Sequence, residues 1–371
     1  MLLRQIDYRP QNIHRELQER YGRHVNDYRL TLERIRTLAQ QALINEKVWG
    51  QISHELSTLL DTHETEPALT PASPVLPHTG SQLSAYVNST NSAVEPTKIR
   101  TLQEYVNLRR GLGDIGASFE AALIEHAGEA RQIDLLGYCE ACGQISSFNA
   151  LWSAEQVGPN FRESLRCHRC GLCSRLRKVA GYVKEARRAD QRDIYLYEQT
   201  TPFFSWMRAT FPDANVMGSE YLGDNLAGGS SINGVRHEDA RSLSFADASF
   251  DVVVSCDVFE HVPDIHSTLS EAVRVLRPGG SLIMTIPFYS LEETTVQRAT
   301  LEHDELIHHL PPQYHGNPIS PEGSLVFFDY GWDFLSTCRD AGFRDAYMIP
   351  YYSLWHAHLG EGLQIFFVAQ R

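Results

Sequence analysis

At 371 residues and 42% hydrophobic content, the chain is long enough for two or three domains, and no apolar run reaches the roughly 20 residues that a membrane helix needs. A formal net charge of −13 argues against a general nucleic-acid binder. The first residues lack the apolar core of an export signal, which predicts a cytoplasmic location, and there the five cysteines clustered between Cys139 and Cys173, of seven in the chain, are better suited to metal than to disulfides.

Residues 1–60 read as an N-terminal helical segment. Leu30, Ile35, Leu38 and Leu43, then Ile52, Leu56 and Leu59, recur at helical intervals, so these helices either pack on the rest of the chain or make a homo-oligomer. Residues 61–96 are rich in Pro, Ser, Thr and Asn and predict a flexible linker. Residues 97–137 return to helix in two pieces divided near Gly111 and Gly113.

Residues 138–178 hold two C-x-x-C knuckles, Cys139/Cys142 and Cys167/Cys170, each followed by glycine. Four thiolates at this spacing suit tetrahedral Zn2+ in a closed, structural site, and the glycines let the chain turn around the sulfurs. Cys173 lies outside the pairing and is read as packed nearby. The zinc ribbon either lines a substrate pocket, docks a partner or staples the fold. Between Arg162 and Arg192 ten Lys or Arg face three acids, so this stretch is locally basic.

Residues 179–371 alternate strand and helix signals. Strands are predicted at 193–197, 215–220, 235–245, 250–256 and 281–286, with 344–351 and 363–369 closing the sheet. Val252, Val253 and Val254 form a β-branched run of the kind a parallel sheet buries on both faces. Asp257, Glu260 and His261 follow it, where open α/β sheets bind ligands. The first strand leads into Glu198-Gln199-Thr200-Thr201-Pro202, with one threonine capping a helix that has Pro202 in its first turn. An insertion at 288–328 carries His303, His308, His309 and His315, whose spacing gives no ligand pair on one helical face. Residues 355–358 connect the last two strands and are expected to reach back over the site.

The order, turn chemistry and acidic positions over roughly residues 192–371 resemble the class I S-adenosylmethionine-dependent methyltransferases of the type 11 group. The resemblance implies an α/β, Rossmann-like methyltransferase sheet of seven strands with the last antiparallel, preceded here by N-terminal helices and the four-Cys ribbon. It implies that Glu198, Gln199 and Thr200 face the methionyl end of S-adenosylmethionine and that Glu220 accepts from the ribose hydroxyls. Tyr221 and Leu222 would flank adenine, Asp239 and Ala240 would bond its edge, and Asp257 with Phe259 would lie beside the transfer site. The glycines that usually follow the first strand are absent, a tolerable departure because this cofactor has no phosphate to cradle. His261, His303, His309 and His315 are the candidate bases. The expected reaction is O- or N-methylation of a small-molecule acceptor, such as a sugar, glycan or secondary-metabolite precursor. Two alternatives are an RNA-modifying enzyme, using Arg162, Arg166, Arg169, Arg175, Arg177, Lys178, Arg187 and Arg188, and a degenerate non-catalytic scaffold.

Overall fold

The computed structural model describes residues 93–371 except 95, 113–115, 304, 318, 361 and 362. The expected helices of residues 1–60, their self-association and nearly all of the linker lie outside the described residues. The rest divides into two compact units, one holding Asp114–Arg177 and Tyr351–Gln364, the other Glu95–Gly113, Lys178–Pro350 and Ile365–Arg371. Among the described residues no helix is long and apolar enough to cross a membrane.

The first unit is a helix and a small sheet. Helix α1 (Ala117–Ala127) leads into strands β1 (Gln132–Cys139) and β2 (Gln144–Leu151), which pair antiparallel without interruption from Gln132↔Leu151 to Cys139↔Gln144. Strand β3 (Arg166–Cys167) adds to β2. Residues 132–137, expected as the end of a helical segment, are therefore strand. Phe148 is fully buried, and the equally buried guanidinium of Arg177 lies 4.3 Å above its ring. Arg177 also donates to Ala357 O at 2.7 Å. Residues 355–358 thus pack inside this unit. His356 Nδ1 lies 3.0 Å from Tyr138 O, and His358 is held between Ser174 Oγ at 3.0 Å and Glu140 Oε2 at 2.8 Å.

Helix α2 (Ser174–Ala186) carries the chain into the second unit. Here β4 (Asp193–Leu196), helix α3 (Pro202–Thr210) and β5 (Asn215–Gly218) are followed by a hairpin, β6 (Ser231–Ile232) with β7 (Val235–Arg236). Then come β8 (Phe250–Cys256), helix α4 (Ile265–Val275) and β9 (Leu276–Thr285). The insertion folds as short antiparallel ladders built from β10 (Val296–Gln297), β11 (Ala299–Glu302), β12 (Glu305–His308), β13 (Tyr314–Asn317), β14 (Ser320–Leu325) and β15 (Phe328–Asp329). Within it β11 pairs β12, β13 pairs β14, and β10 returns to β15. Helix α5 (Phe334–Asp340), β16 (Asp345–Tyr351) and β17 (Gln364–Gln370) complete the unit.

The main sheet has the order β16-β17-β9-β8-β4-β5, with β5, β4, β8 and β9 parallel and β17 antiparallel to β9. The expected antiparallel last strand is present. Ile194, Tyr195, Leu196, Val253 and Val254 are fully buried, as a sheet covered on both faces requires. Helix α4 begins where the Asp264 side chain accepts from Ser267 N at 3.1 Å, and it buries Ile265, Leu269, Ala272 and Val275 at helical spacing.

Among the described residues the sheet has six strands where seven are expected. The expected third strand, residues 235–245, reaches its edge only as one parallel bridge, Glu220↔His237. The His237 N–H and C=O are taken by Ser230 O and Gly229 N on the hairpin side, both at 2.8 Å, while Arg236 O and Glu238 N bond Glu220. One residue later the chain turns, with Ser242 N donating to Asp239 O at 2.9 Å, and pairing stops.

The sheet's amino edge is fixed by a carboxylate. Asp251 Oδ2 accepts from Arg192 N at 2.9 Å and Asp193 N at 3.0 Å, and lies 2.9 Å from Arg277. Burial pushes this carboxyl up, but the backbone donors and the Arg277 charge outweigh it and hold it below its ordinary value. A depressed folded value means that this stabilisation is complete above the unfolded pKa of about 4 and is lost as pH falls through the folded one. Asp251→Asn should cost about 1 kcal/mol at pH 7, a figure that allows for the partly exposed Arg277. The gap from wild type, read as urea midpoints, should shrink steadily between pH 5 and pH 3; a constant gap would refute the assignment.

Candidate active site and metal centre

Strand order reverses at β4, since β5 pairs on one side of it and β8 on the other. Loops leaving the carboxyl ends of β4 and β8 therefore diverge, and the crevice between them is where a doubly wound sheet binds ligands. Acids stand at these ends: Glu198 after β4, Glu220 after β5, Asp257 after β8.

The loop after β4 is built by side chains. Thr201 is the helix cap, its hydroxyl accepting from Phe204 N at 3.2 Å and donating to Glu198 Oε2, with Pro202 in the first turn of α3. Glu220 Oε1 gathers three donors: Gln199 N at 2.8 Å, Thr200 N at 2.8 Å and Thr200 Oγ1 at 2.7 Å. The amides expected to face the cofactor's carboxylate face Glu220 instead. Gln199 reaches the hairpin, donating to Gly234 O at 2.9 Å and accepting from Arg236 N at 2.7 Å. The glycine that this loop lacks is found at the end of β5, where a Cβ on Gly218 would lie 2.4 Å from Glu198 O and 2.6 Å from the Phe204 ring.

Beyond Glu220, Tyr221 is 45% exposed and Leu222 N donates to His237 Nδ1 at 3.0 Å. The Tyr221 ring lies 5.6 Å from the buried His237 imidazole, a residue that no sequence signal singled out. Asp239 is gripped by Arg241, which donates from its backbone N at 2.9 Å and from Nη2 at 2.7 Å. Burial pushes the Asp239 carboxyl up, and Arg241 more than reverses this. Ala240 is half-buried beside it. A carboxylate has about four acceptor sites; the donors on Glu220 all reach Oε1 and leave Oε2 for a ligand, whereas Arg241 makes two contacts to each Asp239 oxygen.

Asp257 has a left-handed backbone, φ 53°, and joins two strand ends: its N–H donates to Thr285 O at 2.9 Å while Thr285 Oγ1 donates to Asp257 Oδ1 at 2.8 Å. Phe259, expected at the cofactor, is fully buried and packs edge-on against Tyr197 with ring centres 5.3 Å apart.

The four candidate histidines separate into two pairs. His303 and His309 are exposed on the β11–β12 hairpin, with His309 Nε2 2.6 Å from Thr300 Oγ1. His261 and His315 meet with ring centres 5.1 Å apart, and each has a ring nitrogen 3.6 Å from Glu260 Oε1. The insertion is β-structure, so helical spacing was the wrong test for ligand pairs there. Glu260 is the residue whose role sequence reading missed.

In the first unit the four knuckle sulfurs lie within 4.8 Å of one another. Cys139 Sγ is 3.8 Å from Cys170 Sγ, and Cys142 Sγ is 3.8 Å from Cys167 Sγ. The knuckles repeat each other: Gly143 N donates to Cys139 O and Gly171 N to Cys167 O, both at 2.8 Å, with φ of 71° and 72° at the two glycines. That donor set fits a tetrahedral metal. Cys173 stands apart, 3.6 Å from Glu163 Oε2, and burial pushes its thiol up.

Residues 202–284, less than a quarter of the chain, match the family model described as a methyltransferase domain. Among curated proteins, a ubiquinone/menaquinone biosynthesis C-methyltransferase of Dinoroseobacter shibae is 46% identical over 91 residues, covering 24% of this chain and 32% of the relative. A 27-O-demethylrifamycin SV methyltransferase of Amycolatopsis mediterranei is 46% identical over 48 residues, covering 13% and 18%. An arsenite methyltransferase of Aquipseudomonas alcaligenes is 56% identical over 45 residues, covering 12% and 13%. The chain thus spans a third or less of the length of these relatives. Among solved structures, an S-adenosylmethionine dependent methyltransferase of Mesorhizobium loti aligns over 52% of this chain and 97% of its own, with 14% identity and a TM-score of 0.34.

Gly218→Ala should push the Glu198 loop off β5, because the nearest obstacle is backbone. We expect a loss of about 1–3 kcal/mol in urea unfolding, whereas Gly228→Ala, with no neighbour closer than 3.2 Å, should cost less. Equal stability of the two variants would contradict this packing.

Proposed function

We propose that this protein is an S-adenosylmethionine-dependent methyltransferase acting on a small-molecule acceptor. The observation that carries the reading is the placement of acids at successive carboxyl ends of β4, β5 and β8, on both sides of the strand-order reversal. Glu220 keeps its second oxygen for the ribose hydroxyls, the exposed Tyr221 ring offers a face to adenine with Leu222 beside it, and Asp239 with the Ala240 amide bonds the adenine edge. Glu198 and Asp257 flank the methionyl and methyl-transfer end. The match of residues 202–284 to the methyltransferase-domain model supports this assignment.

The bound cofactor supplies an electrophilic methyl group, so the protein has to align the acceptor and accept at most one proton. His261 and His315 are the histidines near the end of β8 and are the proposed bases. A sugar, glycan or secondary-metabolite precursor, methylated on O or N, is the proposed acceptor class. Four reduced thiolates holding a structural zinc accord with a cytoplasmic location.

The RNA-modifying alternative loses support at its cations. Arg177 is buried, Arg162 and Arg175 both pair with Glu163, Arg187 pairs with Asp213 and Arg188 with Asp190. The scaffold alternative gives no reason for the acids at the strand ends.

Isothermal titration with S-adenosylmethionine and S-adenosylhomocysteine tests the reading. Binding at micromolar concentrations is expected, and Glu220→Ala should weaken it by about 1–3 kcal/mol; no binding at high micromolar concentration would remove the proposal. For the ribbon, we expect one zinc per chain bound by Cys139, Cys142, Cys167 and Cys170. Cys167→Ser should lose that zinc and unfold the small sheet around it, while Cys173→Ser keeps it. Elemental analysis showing the reverse would overturn the ligand assignment.

A further inference from the structure

We propose that Glu260, His261 and His315 form a second metal site, distinct in chemistry from the four-cysteine centre, and that it takes zinc with one coordination position open. The main observation is Glu260 itself. Its carboxylate is fully buried, and neither oxygen accepts a hydrogen bond among the described residues. A buried carboxylate without hydrogen bonds is costly, and a cation bound between it and its neighbours would offset that cost.

Two imidazole nitrogens face it, His261 Nε2 and His315 Nδ1, each 3.6 Å from Oε1. That is too long for a hydrogen bond. It is close to the edge of a tetrahedron around an ion, which for bonds of about 2.0–2.1 Å is roughly 3.3 Å. The three candidate ligand atoms all lie within 4.8 Å of one another.

The surroundings prepare the histidines as ligands. His261 Nδ1 lies 2.8 Å from Leu325 O, and since a carbonyl only accepts, Nδ1 carries the proton and Nε2 keeps its lone pair toward Glu260. A ligand histidine is usually fixed in this way, through its other nitrogen. The Gln313 amide stands 3.3 Å from His315 Nε2, and turned by 180° it would accept from Nε2–H, so that Nδ1, which faces Glu260, would be the ligating nitrogen. Glu260 is fixed as well, since its carbonyl accepts from Phe327 N at 2.7 Å. The side chain of His315 is 31% exposed, which gives an ion a way in.

Two imidazoles and one carboxylate with a position left over suit an open zinc site. The open position takes an oxygen donor, water or an acceptor hydroxyl. On the proposed methyl-transfer reading the metal would replace His261 and His315 as bases, because it holds their lone pairs: a bound hydroxyl would release its proton to solvent, its oxygen would bond to the methyl carbon, and the carbon–sulfur bond would break to leave the thioether. The metal site itself does not depend on that reading.

The test is metal stoichiometry of the full chain without cofactor, after dialysis against excess Zn2+ and then buffer. Wild type should hold two zinc per chain, Glu260→Gln and His315→Ala one each, and Cys167→Ser should retain the zinc that those two lose. His315 is half-exposed, so its variant should fold, which circular dichroism verifies. With Co2+, His315→Ala should retain the thiolate charge-transfer band of the ribbon and lose the remaining d–d absorption. Equal zinc content in wild type and His315→Ala would overturn the proposal, as would preferential retention of iron over zinc at this site. Neither outcome bears on S-adenosylmethionine binding.

Discussion

The reversal of strand order at β4 governs the second unit. Because β5 and β8 pair on opposite sides of β4, the loops beyond their carboxyl ends have no common path, and polar groups gather in the gap. Glu220 closes that gap from one side: a single oxygen satisfies the amides of Gln199 and Thr200 and the Thr200 hydroxyl. Without a glycine-rich turn the loop still lies close to the sheet, because Gly218 on the neighbouring strand removes the obstructing Cβ. The close approach needs a missing side chain at the contact, and either partner can supply it.

The insertion is tied to the other side of the gap through backbone. Phe327 N donates to Glu260 O at 2.7 Å, and Leu325 O stands 2.8 Å from His261 Nδ1. These contacts bring the β13–β14 ladder onto the turn after β8 and set His315 against Glu260. A buried carboxylate at the end of a parallel strand is thereby surrounded by imidazoles from two segments 54 residues apart in sequence, His261 and His315. Hydrophobic burial fixes the position of Glu260, and the electrostatic need it creates gives the histidines their place.

Much of this was legible in the sequence, for definite reasons. The Val252–Val254 run, the Pro202 helix start and the repeated C-x-x-C-G spacing each have one cheap physical solution, and each is found as expected. The third strand was not legible, because the hairpin that captures His237 depends on a distant partner, Glu220. The insertion's histidines have no helical period, and the segment folds as short ladders. Arg177 looked like part of a basic surface; only the fold shows it buried over Phe148. In each miss, tertiary contact decided a side chain's direction where local pattern was silent.

The central claim is that the carboxyl ends of β4, β5 and β8 hold the adenosyl cofactor. A crystal structure of the full chain with S-adenosylhomocysteine tests it most directly. The account predicts ribose hydroxyls on the second oxygen of Glu220, adenine against Tyr221 with its edge at Asp239, and the sulfur between Glu198 and Asp257. Ligand density elsewhere on the molecule, with these four acids untouched, would contradict it.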